Sequence, residues 1–275
     1  MKIDWPAGIQ CAVTLTFDVD GETLWLSRDA TNKDKPGVLS QGAYGPKVAV
    51  PLILDVLARF RVHATFFVPG WVAESYPGRI HAIHEAGHEV AHHGYLHEWP
   101  DSAHPDVEED VLQRGITILK EVTGERPVGY RSPAWEFSSN TLRLIRQYGF
   151  TYSSNLMDDM RPYFHPGEPR LVELPTQWVL DDAPFFLFSV KPPNRPIWPA
   201  SQVLGAWQEE FRGIYRYGGL FNLTMHPQFI GRPGRLLMLE ELLTYIQGFP
   251  GVWFATCRQV AEYWRDQDGE NTRGK

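Results

Sequence analysis

The 275-residue chain predicts an α/β protein, a distorted (β/α) barrel of about seven or eight strands. Two observations carry this. Apolar strand-like runs alternate with helix-patterned segments along most of the chain, and clusters of polar residues fall where several of the apolar runs end. A content of 43% hydrophobic and 13% aromatic residues suffices for one large core, so a single domain over residues 1–266 is expected, followed by a polar tail, 267–275, that frays.

The first strand is the run 12–17, which ends in Asp18-Val19-Asp20-Gly21-Glu22. If the strand persists, Asp18 and Asp20 share a face. Two neighbouring carboxylates repel unless a cation lies between them or one takes a proton. The ordinary alternative is a polar turn at Asp20-Gly21. A long loop, 22–46, is expected next, carrying Trp25, Leu26 and Tyr44. Residues 47–61 show helical apolar spacing, with Pro51 tolerable only near the start. A strand at 63–68 is followed by a helix at 77–86 closed by Gly87 and a short strand at 89–92. Residues 106–122 form a helix with acids in its first turn and Gly124 past its end.

Residues 128–131 read as a strand, and Ser138 or Ser139 caps a helix that runs to Tyr148 and stops at Gly149. Strands are expected at 150–154 and 171–178, with a proline-rich loop at 192–196. Ser201 caps a helix to Tyr217, and 220–225 is a strand. A helix at 235–247, a strand at 252–255 and a helix at 258–265 capped by Thr256 complete the alternation.

A formal net charge of −7 without any basic run excludes a general nucleic-acid or anionic-membrane surface. Residues 1–6 carry no apolar leader core, and no apolar stretch approaches the ~18 residues of a membrane span, so a cytoplasmic protein is expected. Cys11 and Cys257 have neither a disulfide-framework nor a metal-type spacing; buried free thiols are expected.

Three further strand ends carry chemistry. Residues 88–97 hold four histidines, and His84/His88, His88/His92 and His93/His97 are each four apart, a spacing that lets two imidazoles share a metal. Position favours His93 and His97, which close the strand and lie just beyond it, whereas His84 and His88 precede it. With Asp20 they make two histidines and one carboxylate, an open catalytic set. Arg131 ends the strand 128–131, where it can pair with a carboxylate in a fork. His226 ends the strand 220–225 and is a candidate general acid.

In order, Phe17-Asp18-Val19-Asp20, His93-Gly94-Tyr95-Leu96-His97, Arg131-Ser132-Pro133-Ala134-Trp135 and Leu223-Thr224-Met225-His226-Pro227 resemble the motif series of the polysaccharide deacetylase family, carbohydrate esterase family four, over nearly the whole chain. The resemblance implies a barrel of the polysaccharide-deacetylase type and hydrolysis of carbon–nitrogen bonds other than peptide bonds. It implies that Asp20, His93 and His97 bind a divalent metal, first of all Zn2+. Asp18 is then the base acting on water, Arg131 its tether and His226 the acid that protonates the leaving nitrogen. A backbone N–H near Ala134 would stabilise the oxyanion, with Trp135, Tyr95 and Glu22 about the substrate. The acid that tunes the catalytic histidine stays open among Asp181, Asp182, Asp158 and Asp159. The resemblance also implies a homo-oligomer, a tetramer.

Val19 separates the two acids, a spacing similar to a branch holding peptidoglycan-deacetylase-like proteins and cyclic imide hydrolases, and Gly231-Arg232-Pro233 after His226 is similar to allantoinases. Long aromatic-bearing loops at 22–46, 155–170 and 181–199 can roof a closed pocket. Together with the missing leader, they lead us to expect a cytoplasmic enzyme that opens a small cyclic imide, amide or ureide. The alternatives are an N-deacetylase of an amino sugar in peptidoglycan or chitooligosaccharide, and a catalytically dead binding domain on the same fold.

Overall fold

A computed structural model describes residues 5–188 and 196–273, with side chains to Gln267. Its elements are β1 (Cys11–Asp18), α1 (Thr23–Leu26), α2 (Pro36–Tyr44), α3 (Val50–Phe60), β2 (Thr65–Val68), α4 (Gly70–Ser75), α5 (Pro77–Glu85) and β3 (Glu89–His92). There follow α6 (Pro105–Thr123), β4 (Gly129–Tyr130), α7 (Thr141–Gln147), β5 (Tyr152–Ser153), β6 (Tyr163–Phe164), β7 (Val172–Glu173) and α8 (Ala183–Phe186). The chain closes with α9 (Ala200–Tyr217), β8 (Leu220–Met225), α10 (Pro227–Ile230), α11 (Pro233–Gln247), β9 (Val252–Phe254) and α12 (Cys257–Arg273).

The strands form one curled sheet in the order β6-β7-β5-β4-β3-β2-β1-β8, with β9 added on β1. Every pairing is parallel except the β6–β7 hairpin. β1 is the hub. β8 follows one edge of it from Ala12 to Phe17, so β9, paired at Cys11 to Val13, and β2, paired at Thr16 to Asp18, divide the other edge. This is why every residue of β1 and β8 is buried and both read as near-continuous apolar runs. No ladder joins β8 to β7 among the described residues, so the barrel is open along one seam, the distortion expected of it.

Helices pack on the outside of the sheet, where Phe17 stacks on Phe66 with centroids 4.9 Å apart and Trp207 and Phe211 are fully buried. Cys11 and Cys257 are buried free thiols, and burial pushes each thiol up to about 12.

The structure corrects several boundaries. The stretch 22–46, expected as a loop, is largely helical: α1, a 3₁₀ turn at Ala30–Asp34, α2 and a π turn at Gly45–Ala49 that runs straight into α3. Its helices are short and lack a sustained apolar stripe, so periodicity misses them; the readable marks are Asp29, whose carboxylate accepts from Thr31 N–H, and Pro36 at the start of α2. The strand expected at 171–178 ends at Glu173, because Pro175 has no N–H to offer a ladder. α7 starts at Thr141 rather than directly after Ser138 or Ser139; the Ser138 hydroxyl donates to Glu108 and accepts from Asn140 N–H in a turn ahead of the helix. α4 and β6 were not anticipated, and α12 continues past Arg265 to Arg273. Residues 192–195 of the proline-rich loop lie outside the described residues.

Candidate metal centre and active site

Four strand ends meet on one rim. Asp18 ends β1, His93 follows β3, Arg131 follows β4 and His226 follows β8. β1 stops at Asp18, but Val19 N–H still donates to Phe67 C=O at 2.8 Å, which keeps the next residue in line with the sheet. The chain then turns: Gly21 adopts φ +55°, and the Thr23 hydroxyl donates to Asp20 C=O at 2.6 Å. α2 seals this turn from outside, with Gly42 so close that a Cβ there would lie 2.2 Å from the Gly21 carbonyl oxygen.

The turn after β3 carries the two imidazoles. Glu98 accepts from the Tyr95 and Leu96 N–H groups at 3.1 and 2.7 Å, and Gly94 and Tyr95 carbonyls accept from Gly70 and Trp71. His97 sits within it at φ +62°, a left-handed conformation that is costly for a residue with a Cβ and is held by these bonds. Nε2 of His93 lies 3.4 Å, and Nε2 of His97 3.8 Å, from Asp20 Oδ1. The three donor atoms of Asp20, His93 and His97 can lie on one ion.

The donor chemistry fits a cation. Asp20 is fully buried and neither oxygen accepts a hydrogen bond. His93 Nδ1 lies 2.8 Å from the Arg131 carbonyl, which can only accept, so that nitrogen carries a proton and Nε2 is the one turned to the Asp20 carboxylate. A buried carboxylate is stable only with positive charge beside it. Burial raises the Asp20 pKa, yet the imidazoles, His97 first, outweigh it and hold the carboxyl well below its usual range. Burial opposes charge on His93 too, and Asp18 and Asp20 reverse that and raise it. His97 is pushed down to about 4, chiefly by burial, and so presents a neutral ring.

Of the other histidine pairs, none assembles. His88 Nδ1 accepts from Ala64 N–H, His92 Nδ1 from Gly94 N–H with its ring against Gly115 on α6, and His84 lies by Glu125.

Arg131 is fully buried and reaches across the barrel over the Phe67 ring. Nη1 donates to Asp18 Oδ1 and to Thr16 Oγ1, both at 2.8 Å; Nη2 donates to Ser154 Oγ at 2.9 Å and Nε to Ser154 C=O at 3.2 Å. The guanidinium therefore gives Asp18 a single prong rather than the fork the sequence invites. Its other donors anchor it to β5.

His226 Nδ1 is 2.7 Å from Asp182 Oδ1, and both Asp182 oxygens accept the His226 N–H at 3.1 Å. Asp182 is thus the acid left open by the sequence. Asp181 lies 3.6 Å from the same nitrogen, whereas Asp158 binds the Tyr163 hydroxyl and Asp159 binds Arg161. Burial pushes the His226 pKa down, but Asp182 and Asp181 reverse this and raise it well above the usual value. His226 Nε2 is 3.6 Å from Asp20 Oδ2.

The remaining expected residues are placed as follows. Ala134 and Trp135 are consecutive left-handed residues, φ +55° and +61°, pinned by Trp135 N–H to Ser132 C=O and by Ser132 N–H to Asn155 Oδ1. Trp135 is buried and its ring lies tilted against that of Trp178, centroids 4.5 Å apart. Glu22 Oε1 accepts from the Tyr76 hydroxyl at 2.5 Å. Tyr95 is turned away, to Glu74 on α4 and under the Arg114 guanidinium of α6. Trp25, read from the sequence as an aromatic of the 22–46 loop, stands edge to face with Phe229, which lies against His226; sequence reasoning passed over Phe229 and Ser27, the latter 3.5 Å from His97 Nδ1. It also passed over Ser154 and Asn222, although Asn222 was visible as a lone amide inside an apolar strand.

A family model described as polysaccharide deacetylase matches residues 30–153. The peptidoglycan deacetylase of Helicobacter pylori is 33% identical over an alignment spanning 91% of this chain and 94% of that protein.

The chain belongs to the polysaccharide deacetylase family.

A polysaccharide deacetylase structure from Mycobacterium smegmatis superposes with a TM-score of 0.94 at 43% identity, covering 97% of this chain and 94% of that one. The allantoinase Puue superposes with a TM-score of 0.81 at 25% identity over 95% of this chain and 92% of that one. This member of the polysaccharide deacetylase family is accordingly a hydrolase of carbon–nitrogen bonds on the family's half-barrel fold.

Proposed function

We propose that this polysaccharide deacetylase family member opens the ring of a small cyclic imide, amide or ureide, with a divalent cation, Zn2+ first, held by Asp20, His93 and His97. The burial of the reacting groups carries the reading: Asp18 is 3% exposed, His97 6%, Trp135 5% and His226 7%, and Trp135 lies against Trp178 with ring centroids 4.5 Å apart. Such a site suits a small ring better than a polymer laid in a groove. The likeness to an allantoinase along almost the whole chain supports it.

The bound cation would supply Lewis acidity, polarising the scissile carbonyl and acidifying water. The side chains do the rest. Asp18, fixed at Oδ1 by Arg131, accepts the proton of the attacking water at Oδ2. His226, its Nδ1–H held by Asp182, gives the Nε2 proton to the departing nitrogen as the C–N bond breaks. The turn at Ala134 offers a backbone N–H for the developing oxyanion. Because a small diffusible substrate needs no access to wall polymer, we place the reaction in the cytoplasm. We include a homo-oligomer in the proposal, with the exposed Ile197 and Trp198 as its contact.

A second reading, N-deacetylation of an amino sugar, is favoured by the near-full-length match to the H. pylori peptidoglycan deacetylase. Purified, metal-loaded protein assayed on succinimide- and hydantoin-type rings beside N-acetylglucosamine oligomers separates the two. Ring opening supports the first; turnover of the oligomers alone overturns it.

A further inference from the structure

The open seam of the barrel lies between β8 and β7, next to a cavity of about 320 Å³ lined in part by Asn222, Leu220, Pro175, Thr176 and Met160. One fully buried side chain crosses it. Asn222, in the middle of β8, sends its Nδ2 to Pro175 C=O at 3.0 Å, to Leu174 C=O at 3.3 Å and to Ser154 Oγ at 3.1 Å. Its Oδ1 accepts from the Thr14 hydroxyl at 2.9 Å, across the β1–β8 pair in which Thr14 and Asn222 are in register. The Leu174 and Pro175 carbonyls can only accept, so they fix Nδ2 as the donor end of the amide and leave Oδ1 to accept from the Thr14 hydroxyl.

Ser154 Oγ is the acceptor for Arg131 Nη2, and Arg131 Nη1 holds Asp18. The hydrogen bonds thus run without a break from Thr14 through Asn222, Ser154 and Arg131 to the carboxylate. All five side chains are buried, so each lost partner leaves an unsatisfied polar group in a low-dielectric interior rather than a hydrated one.

We propose that Asn222 is a positioning residue for the reaction: between the backbone bonds of Leu220 N–H to Met160 C=O and Asp182 N–H to Thr224 C=O it ties β8 to the segment after β7 and, through Ser154 and Arg131, sets the direction of the Asp18 carboxylate. Asn222 does not touch the metal-binding group, and its effect is on the aim of the base alone. The kinetic part of this inference rests on Asp18 acting as the base; the structural part does not.

The test uses the metal-loaded 275-residue protein with Asn222→Ala, Ser154→Ala, the double variant, and Thr14→Val, which removes only the bond to the amide oxygen. Two readouts are taken. The first is the NMR signal of the Arg131 Nε–H, identified by its loss in Arg131→Lys. Buried against Ser154 C=O, it is expected to exchange slowly with solvent in the parent, and Asn222→Ala and Thr14→Val to speed that exchange at least tenfold with bound metal unchanged. The second is kinetics: kcat falls by ~10- to 100-fold in Asn222→Ala with KM nearly constant, and the double variant is no worse than the poorer single one. An unchanged Arg131 signal in folded, metal-loaded Asn222→Ala or Thr14→Val overturns the proposal. Shifted exchange with unaltered kcat overturns the positioning role, whereas a kcat kept by Asp18→Asn overturns the assignment of the base instead.

Discussion

Nε2 of His93 lies 3.4 Å from Asp20 Oδ1 while Nδ1 of the same ring is bound to the Arg131 carbonyl. That one ring ties the candidate metal-binding group to the strand end that carries Arg131. The backbone of Arg131 orients His93 and its guanidinium orients Asp18, so one residue couples the two halves of the site.

Replacing Arg131 with lysine keeps the charge and loses the geometry. An ammonium can reach Asp18 or Ser154 but cannot serve Thr16, Asp18, Ser154 Oγ and Ser154 C=O at once. A kcat lower by about 10²-fold is expected, with metal retained. Steady-state kinetics beside metal analysis checks this, and a kcat within twofold of the parent removes the tether role.

His226 is raised well above its usual value: burial works against this, and Asp182 and then Asp181 overcome it. An acid must be protonated to act, so activity is present below the pKa of His226 and lost as pH rises through it. Asp182→Asn takes away the principal raising charge, and the basic limb of kcat/KM is expected to move to lower pH along with a fall in rate. A limb that stays in place in this variant shows that another group gives the proton.

His88 gives a stability signature away from the site. Burial, with His63 beside it, pushes it down to about 4, so it folds as a neutral ring whose Nδ1 accepts from Ala64 N–H. In the unfolded chain it titrates near 6.5. Because the folded value is depressed, its contribution is whole above about 6.5 and is lost as pH falls through the folded value near 4, up to ~3 kcal/mol. Urea unfolding of the parent and of His88→Asn, compared across that window, shows the parent losing stability faster on acidification; parallel curves exclude this.

Gly42→Ala is expected to destabilise by ~1–3 kcal/mol, because its Cβ would meet the Gly21 carbonyl at 2.2 Å and the Glu22 Cα at 2.7 Å. Those atoms are backbone of the turn that presents Asp20, so bound metal weakens as well. A melting temperature and metal affinity equal to the parent's contradict the tight packing of α2 on this turn.

The legible part of the sequence was the part in which one residue type has one physical reason to be present. Asp18 and Asp20 ending a buried run, His93 and His97 past a short strand, and Arg131 and His226 at later strand ends were read as strand-end residues, and the structure gathers them on one rim. What distance along the chain hides was not legible. Asp182 was one of four choices because only the pairing of residue 181 with Thr224 brings that segment beside β8. α1 and α2 escaped because short helices are stabilised by what they cover, here the Asp20 to Glu22 turn, and leave little periodicity. Tyr95 sits between His93 and His97 in sequence yet faces Glu74 and Arg114, since the chain turns at Gly94, φ +75°, and leaves the strand before reaching it.

Metal content tests the central claim most directly. The parent protein, stripped with chelator and titrated with Zn2+ in a calorimeter, is expected to bind about one ion per chain, and Asp20→Asn, similar in shape but uncharged, to bind at least ~100-fold more weakly while staying folded. Equal affinity in the two proteins, or no stoichiometric binding by the parent, would contradict it.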